Sequence, residues 1–185
     1  MIGPAGARIG ELSESLSRIR SGQAQDAEIV AWLRAASPMA ASIPRPRTGD
    51  ARRGYSRTLL YRCERFEVLA LHWSPGTATA IHDHGGAFCW LAVAQGSVGV
   101  DNYVRRDTGA TPGFARIDFE GREVLAESAI DYRQDDVHLH RCFTGNEPAV
   151  SLHVYARPID RFYTFDERAQ TCTPADSTYD AMLNV

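Results

Sequence analysis

The residue types able to do chemistry concentrate in one stretch of this sequence. All six histidines fall between His72 and His153, and four of them form two H-x-H pairs, His82-Asp83-His84 and His138-Leu139-His140. In an extended strand, residues two apart point to the same face, so each pair can offer two imidazoles to one ion. The first pair follows Pro75-Gly76 and precedes Gly85-Gly86 and an apolar run that ends at Gly96. The second pair continues to Cys142 on the same face, so periodicity alone does not choose between His138 and His140 as a third nitrogen donor. A further group is Ser151-x-His153-x-Tyr155, in which hydroxyl, imidazole and phenol alternate with Val150, Leu152 and Val154. Burying that polar row is costly unless its members hydrogen-bond. A satisfied polar pair in a core is the plain alternative to a proton relay. His72, beside Trp73, reads as structural.

Short strands must position these groups. From Tyr55 onward, runs of β-branched, aromatic and aliphatic residues alternate with turn signals: Ser56–Tyr61, Phe66–Trp73, Cys89–Ala94, Ser97–Arg105, Ala115–Phe119, His138–Cys142 and Val150–Ala156. The punctuation is SPGT, HGG, AQGS, DTGATPG, FEG and TGNEP, which predicts an all-β barrel or sandwich. Ahead of it, Leu12, Leu16 and Ile19 recur at helical spacing up to Gly22. A second helix is expected from Asp26 through Ile29, Val30 and Leu33, stopping before Pro38. The segment from Pro38 to Gly54 reads as a loop, and the polar, Pro-interrupted tail is expected to wrap the outside.

Length and composition exclude several classes. The chain has 185 residues, of which 44% are hydrophobic and 23% charged, as in an ordinary soluble domain. Its apolar runs, such as Trp90–Ala94, fall far short of the ~20 residues of a membrane span. A net charge of −3, with 20 scattered arginines and no lysine, gives no basic patch for nucleic acid. The start, MIGPAGARIGELSES, lacks the basic-then-apolar pattern of a secretory signal, so the expectation is a cytoplasmic protein without membrane or nucleic-acid partners. Cys63, Cys89, Cys142 and Cys172 make no C-x-x-C pair, which excludes a zinc ribbon and predicts reduced thiols.

Taken together, these motifs carry a resemblance. Gly76-x5-His82-x-His84, followed by a strand and Gly96, resembles the first motif of the cupin superfamily. Most cupins place a Glu four or five residues after the H-x-H, where this chain has Phe88 and Cys89. A site of neutral histidines without that carboxylate is similar to the thiol dioxygenases of the cysteine dioxygenase family. Tyr55-Ser56-Arg57 resembles the family's Tyr-x-Arg, whose Arg binds the substrate carboxylate. Cys89 stands where cysteine dioxygenases form a thioether to a tyrosine. The segment from Glu147 to Tyr155 resembles the family's Ser-His-Tyr relay, with Tyr155 as the crosslink partner. The likeness spans roughly residues 53–165.

The resemblance implies a cupin-type β-barrel with N-terminal helices: a single domain over 1–185, with a helical preface at 1–45, a barrel core at 53–165 and a tail at 166–185. It implies Fe(II) held by His82, His84 and His140, the last because it precedes Arg141 and lies just upstream of Glu147-Pro148-Ala149-Val150-Ser151. It further implies Tyr155, His153, Ser151 and Cys89 as catalytic groups, with Arg57 and Tyr55 binding substrate. Strict alternation from His84 puts Cys89 on the wrong face, so Gly85-Gly86 is expected to reset the phase. Related 3-mercaptopropionate dioxygenases carry Gln in place of that Arg and usually lack the Cys, so Arg57 with Cys89 points to L-cysteine. The expected function is oxidation of L-cysteine by dioxygen to cysteine sulfinic acid, by a monomer. The alternatives are a dioxygenase for another small thiol and a non-catalytic metal-binding cupin. No Glu near the H-x-H is placed as the general base of a zinc hydrolase.

Overall fold

The computed structural model describes residues 26–46, 53–134 and 137–183. The helix expected around Leu12, Leu16 and Ile19 lies outside them. Among the described residues the chain forms α1 (Asp26–Ser42) and then twelve strands: β1 (Tyr55–Arg62), β2 (Phe66–Trp73), β3 (Ile81–His82), β4 (Phe88–Gln95), β5 (Ser97–Arg105), β6 (Ile117–Ala126), β7 (Ile130–Arg133), β8 (His138–Phe143), β9 (Ala149–Ala156), β10 (Arg161–Asp166), β11 (Thr171–Asp176) and β12 (Ala181–Met182). The seven runs read as strands all form strands, with ends within a residue or two except at β6. No helix among the described residues is long and apolar enough to cross a membrane.

Two six-stranded sheets result, ordered β12-β1-β2-β9-β4-β7 and β11-β10-β3-β8-β5-β6. In the first, β2 and β9 are buried along their whole length and β4 nearly so, because both faces are covered. One face packs Leu69, Leu71, Leu91 and Val93 toward Val98, Val100 and Leu125 of the second sheet. The other packs Val68, Ala70, Trp90, Ala92, Leu152 and Val154 against Ile29, Trp32, Leu33, Ala36 and Ala40 of α1. The alternation in β9 follows from this. Its aliphatic residues meet the helix, while Ser151, His153 and Tyr155 face the interior between the sheets.

Three local readings are corrected. The helix α1 does not stop before Pro38 but continues through it to Ser42. Pro38 is exposed, as is Arg34, whose carbonyl loses its helical partner to the proline ring and can turn to water. Meanwhile Ala36 and Ala40 are buried against the sheet, and Ser37 Oγ donates to Leu33 O at 2.8 Å. Burial of that face offsets the roughly 3 kcal/mol that an interior proline costs. The FEG segment is not a turn, since β6 runs on to Ala126. The register slips between Asn102 and Tyr103, opposite Gly121 and Phe119, so the glycine marks a bulge. Finally, the tail joins both sheets. β11 pairs with β10 at a sheet edge, where Pro174 is tolerated. β12 runs parallel to β1, pairing Thr58 with Ala181 and Leu59 with Met182.

Candidate metal centre

His82 closes β3, directly opposite His140 of β8 and Thr164 of β10. His84 lies beyond the strand end, where the chain reverses. Both Gly85 and Gly86 have positive φ, +57° and +76°, and Ala87 N–H donates to His84 O at 3.1 Å. Asp83 anchors the reversal, because its Oδ1 accepts from Tyr163 N–H at 2.8 Å and from Gly85 N–H at 3.2 Å. A Cβ at Gly85 would collide with Arg161 O, so only glycine fits this turn. The turn also resets the strand phase, which brings Cys89 to the interior face.

The three imidazoles converge. Ring centroids are 4.7 Å apart for His82 and His140, 4.8 Å for His84 and His140, and 5.4 Å for His82 and His84. One ring nitrogen from each lies within 4.8 Å of the others'. His138, two residues before His140, is exposed at the outer end of β8 and does not join them.

The donor set fits a metal ion. Both ring nitrogens of His84 are buried without a hydrogen-bond partner among the described residues, a costly state that coordination relieves. His82 Nδ1 faces Ala80 O at 2.9 Å, and His140 Nδ1 lies 3.6 Å from Asp131 Oδ2. His82 therefore has its Nε2 left over, with Nδ1 held from behind by a carbonyl, and His140 turns its Nδ1 toward the Asp131 carboxylate, leaving Nε2. Burial, and then His140, push His82 down to about 3, and burial acts the same way on His84, so both rings are neutral. At His140 burial also disfavours charge, but Cys142 and Asp131 outweigh it and raise the ring to about 9. Asp131 itself stays ionised. Its burial is opposed by His140 and by Arg133, whose Nε donates at 2.9 Å, and it titrates at about 2.

Beside the histidines runs a hydrogen-bonded chain. Trp73 Nε1–H donates to Ser151 Oγ at 2.8 Å, Ser151 Oγ meets His153 Nε2 at 2.8 Å, and His153 Nδ1 meets Tyr155 Oη at 3.2 Å. Indole is a donor only, so it occupies one acceptor site on Ser151, whose own O–H can then donate to His153 Nε2. In that arrangement His153 Nδ1–H donates to Tyr155 Oη, and the phenol keeps its own O–H to give. Burial, then Arg57, lower His153 to about 3, consistent with this neutral tautomer. Tyr155 sits opposite Cys89 in the β4–β9 register, and both are buried in the cluster between the sheets. Burial raises both well above their ordinary values, so both hold their protons.

Arg57 and Tyr55 line the same cavity as His82, His84, His140, His153 and Tyr155. Tyr55 stacks on Trp73 with centroids 5.0 Å apart. Arg57 Nη1 donates to Thr178 O at 3.0 Å, and its backbone N–H donates to Asp180 Oδ2 at 2.7 Å. The cavity volume is about 120 Å³, below the roughly 300–1,000 Å³ of sites for drug-sized ligands. It suits a molecule of a few heavy atoms.

Some site residues escaped the sequence reading. Trp73 and Asp131 act through contacts between strands distant in sequence. The signal available for Asp131 was its i, i+2 spacing from Arg133 on a short strand. Residues 177–180 were read as outer wrapping, and no local pattern links them to Arg57.

The family model described as cysteine dioxygenase type I matches residues 6–168. The chain belongs to the cysteine dioxygenase type I family. Relatives in this family include cysteine dioxygenase type 1 of Homo sapiens, 32% identical over 117 residues, which are 62% of this chain and 56% of the relative. The Danio rerio enzyme is 34% identical over 106 residues, 56% of this chain and 51% of the relative. The chain thus aligns with just over half the length of these relatives. Among solved structures, TT1209 from Thermus thermophilus is similar with a TM-score of 0.44 and 20% identity, covering 60% of this chain and 89% of that one. The two-sheet barrel is the all-β, cupin-type fold expected of a cysteine dioxygenase family member.

Proposed function

We propose that this protein is an Fe(II)-dependent cysteine dioxygenase that converts L-cysteine and dioxygen to cysteine sulfinic acid. The observation that carries the proposal is the three-histidine cluster, with no carboxylate ligand among the described residues, in one small cavity with Arg57 and the Tyr155 relay. His82, His84 and His140 would hold the iron, which when bound activates dioxygen and favours the substrate's thiolate. Three imidazoles, each neutral once coordinated, leave its positive charge for that thiolate to balance, where a protein carboxylate would compete.

The remaining work falls to the chain. Arg57, held from behind by Thr178 O, presents its other N–H groups to the substrate carboxylate, a charge-assisted contact worth roughly 1.5–3 kcal/mol. Trp73, Ser151 and His153 pass their hydrogen-bond polarity along to Tyr155, which directs its O–H toward the reacting sulfur. A thioether between Cys89 Sγ and the Tyr155 ring would fix the phenol. Its formation removes two hydrogens, with dioxygen as oxidant. In the main reaction the sulfur loses four electrons, both oxygen atoms end on it, and no external reductant is required. In this reading the protein works as a cytoplasmic monomer with residues 1–185 as one domain, and the family match over residues 6–168 supports the single domain.

Oxygen uptake by anaerobically iron-loaded protein tests the substrate assignment, with L-cysteine, 3-mercaptopropionate and cysteamine in parallel. Highest kcat/KM with L-cysteine is expected. A preference for 3-mercaptopropionate would overturn the role given to Arg57. Tight ligand binding without uptake would identify a non-catalytic cupin.

A further inference from the structure

The tail segment beyond the residues matched by the family model contributes Ser177 to the lining of the cavity. Ser177 N–H donates to Asp160 O at 2.8 Å, Thr178 O accepts from Arg57 Nη1 at 3.0 Å, and the Tyr179 ring lies 5.6 Å from the Arg57 guanidinium carbon. Asp180 then clasps the Arg57 backbone from both sides, its N–H donating to Arg57 O at 2.8 Å and its Oδ2 accepting from Arg57 N–H at 2.7 Å. Leu183 N–H donates to Leu59 O at 2.9 Å, so residues 177–183 are stapled along β1. This fixes Ser177 at the Arg57 end of the cavity, which its side chain lines. The hydroxyl oxygen is sealed from water and has no hydrogen-bond partner among the described residues. A ligand or an ordered water can complete such a group, and only a group on a cavity wall is placed to meet a ligand.

We infer that Ser177 is a further specificity residue, whose hydroxyl donates to the substrate carboxylate alongside Arg57. The inference rests on the amino-acid thiol proposed above. Beside a guanidinium the shared partner of a hydroxyl donor is an anion, since a substrate ammonium would be repelled from that end of the cavity. Thr178 O occupies one guanidinium N–H, so Arg57 grips one side of the carboxylate and Ser177 reaches the other. A thiol without a carboxylate leaves the hydroxyl orphaned, and the site rejects it on that ground.

The test is anaerobic calorimetry of iron-loaded protein with L-cysteine and with cysteamine, paired with oxygen uptake. Ser177→Ala is expected to weaken L-cysteine binding by on the order of tenfold and to shrink the cysteine-to-cysteamine affinity ratio by a similar factor. Ser177→Thr, which keeps the hydroxyl, is expected to restore most of the loss. Unchanged L-cysteine affinity in Ser177→Ala, or equal weakening of both thiols, would overturn the role of Ser177 while leaving an active wild type unaffected. A wild type that takes up no oxygen with L-cysteine would overturn the functional proposal and this inference with it.

Discussion

At the scale of single residues, the site divides into groups that hold and groups that react. In the proposed reaction Arg57 holds the substrate carboxylate through its planar fork, so charge alone would not replace it. Arg57→Lys is expected to raise KM for L-cysteine by about ten- to a hundredfold, and Arg57→Gln to lose most discrimination between thiols with and without a carboxylate. Steady-state oxygen uptake checks both. In the proposed metal site, Asp131 would act one step behind the metal, through its 3.6 Å contact with His140. Asp131→Asn is expected to weaken iron binding by about 10- to 100-fold, read by competition with a chelator, with the fold retained. Tyr155→Phe removes the relay proton directed into the cavity and is expected to lower kcat far more than it changes KM. The histidine choice shows where sequence reading stops at this scale. His138 and His140 have the same strand phase, and only the position of β8 in its sheet separates the exposed ring from the buried one. Ser151, His153 and Tyr155 were legible because polar groups alternating with Val150, Leu152 and Val154 describe a strand buried on both faces.

At the scale of elements, the site depends on a turn and on a helix that never touches it. The Gly85-Gly86 reversal sets both the direction of His84 and the phase of Cys89. Gly85→Ala is expected to reduce iron content strongly while lowering the melting temperature only modestly, because the collision with Arg161 O displaces the turn rather than the core. By contrast, α1 covers the outer face of the sheet that carries the relay. Trp32→Ala, at a residue 7% exposed, is expected to cost about 3–5 kcal/mol of unfolding free energy. Denaturant titration of the two variants separates these effects. The strands were legible from local alternation, and Phe66–Trp73 and Ser97–Arg105 match their expected bounds. The continuation of α1 through Pro38 was not, because burial of Ala40 against the sheet is a tertiary effect that local propensity does not register. The parallel pairing of β12 with β1 joins segments more than a hundred residues apart, which no short-range pattern announces.

At the scale of the whole molecule, the core between the sheets is supplemented by a polar lock across β5, β6 and β8 of the second sheet. Asp101 is fully buried and accepts from Arg122 and Arg141. The Arg122 hydrogen bonds, opposed by burial and reinforced by Arg141, hold its carboxyl below the ordinary carboxylate range. A carboxylate depressed in the folded state contributes stability that is complete above its unfolded value near 4 and is lost as the pH falls through the folded value. Unfolding free energy is therefore expected to fall as the pH is lowered from about 5 to 3. Asp101→Asn should be less stable at pH 7, by about 1–3 kcal/mol, and show a shallower acid slope. None of this ties the fold to one reaction, because a barrel of this kind can host other chemistry. The functional account stands on the joint placement of three histidines, Arg57 and the Tyr155 relay in one cavity. The most direct measurement is mass spectrometry of the product formed from L-cysteine by iron-loaded protein under dioxygen labelled with oxygen-18. The account predicts cysteine sulfinate carrying two labelled oxygen atoms, with one dioxygen consumed per cysteine. Cystine as the sole product, or sulfinate carrying a single labelled atom, would contradict it.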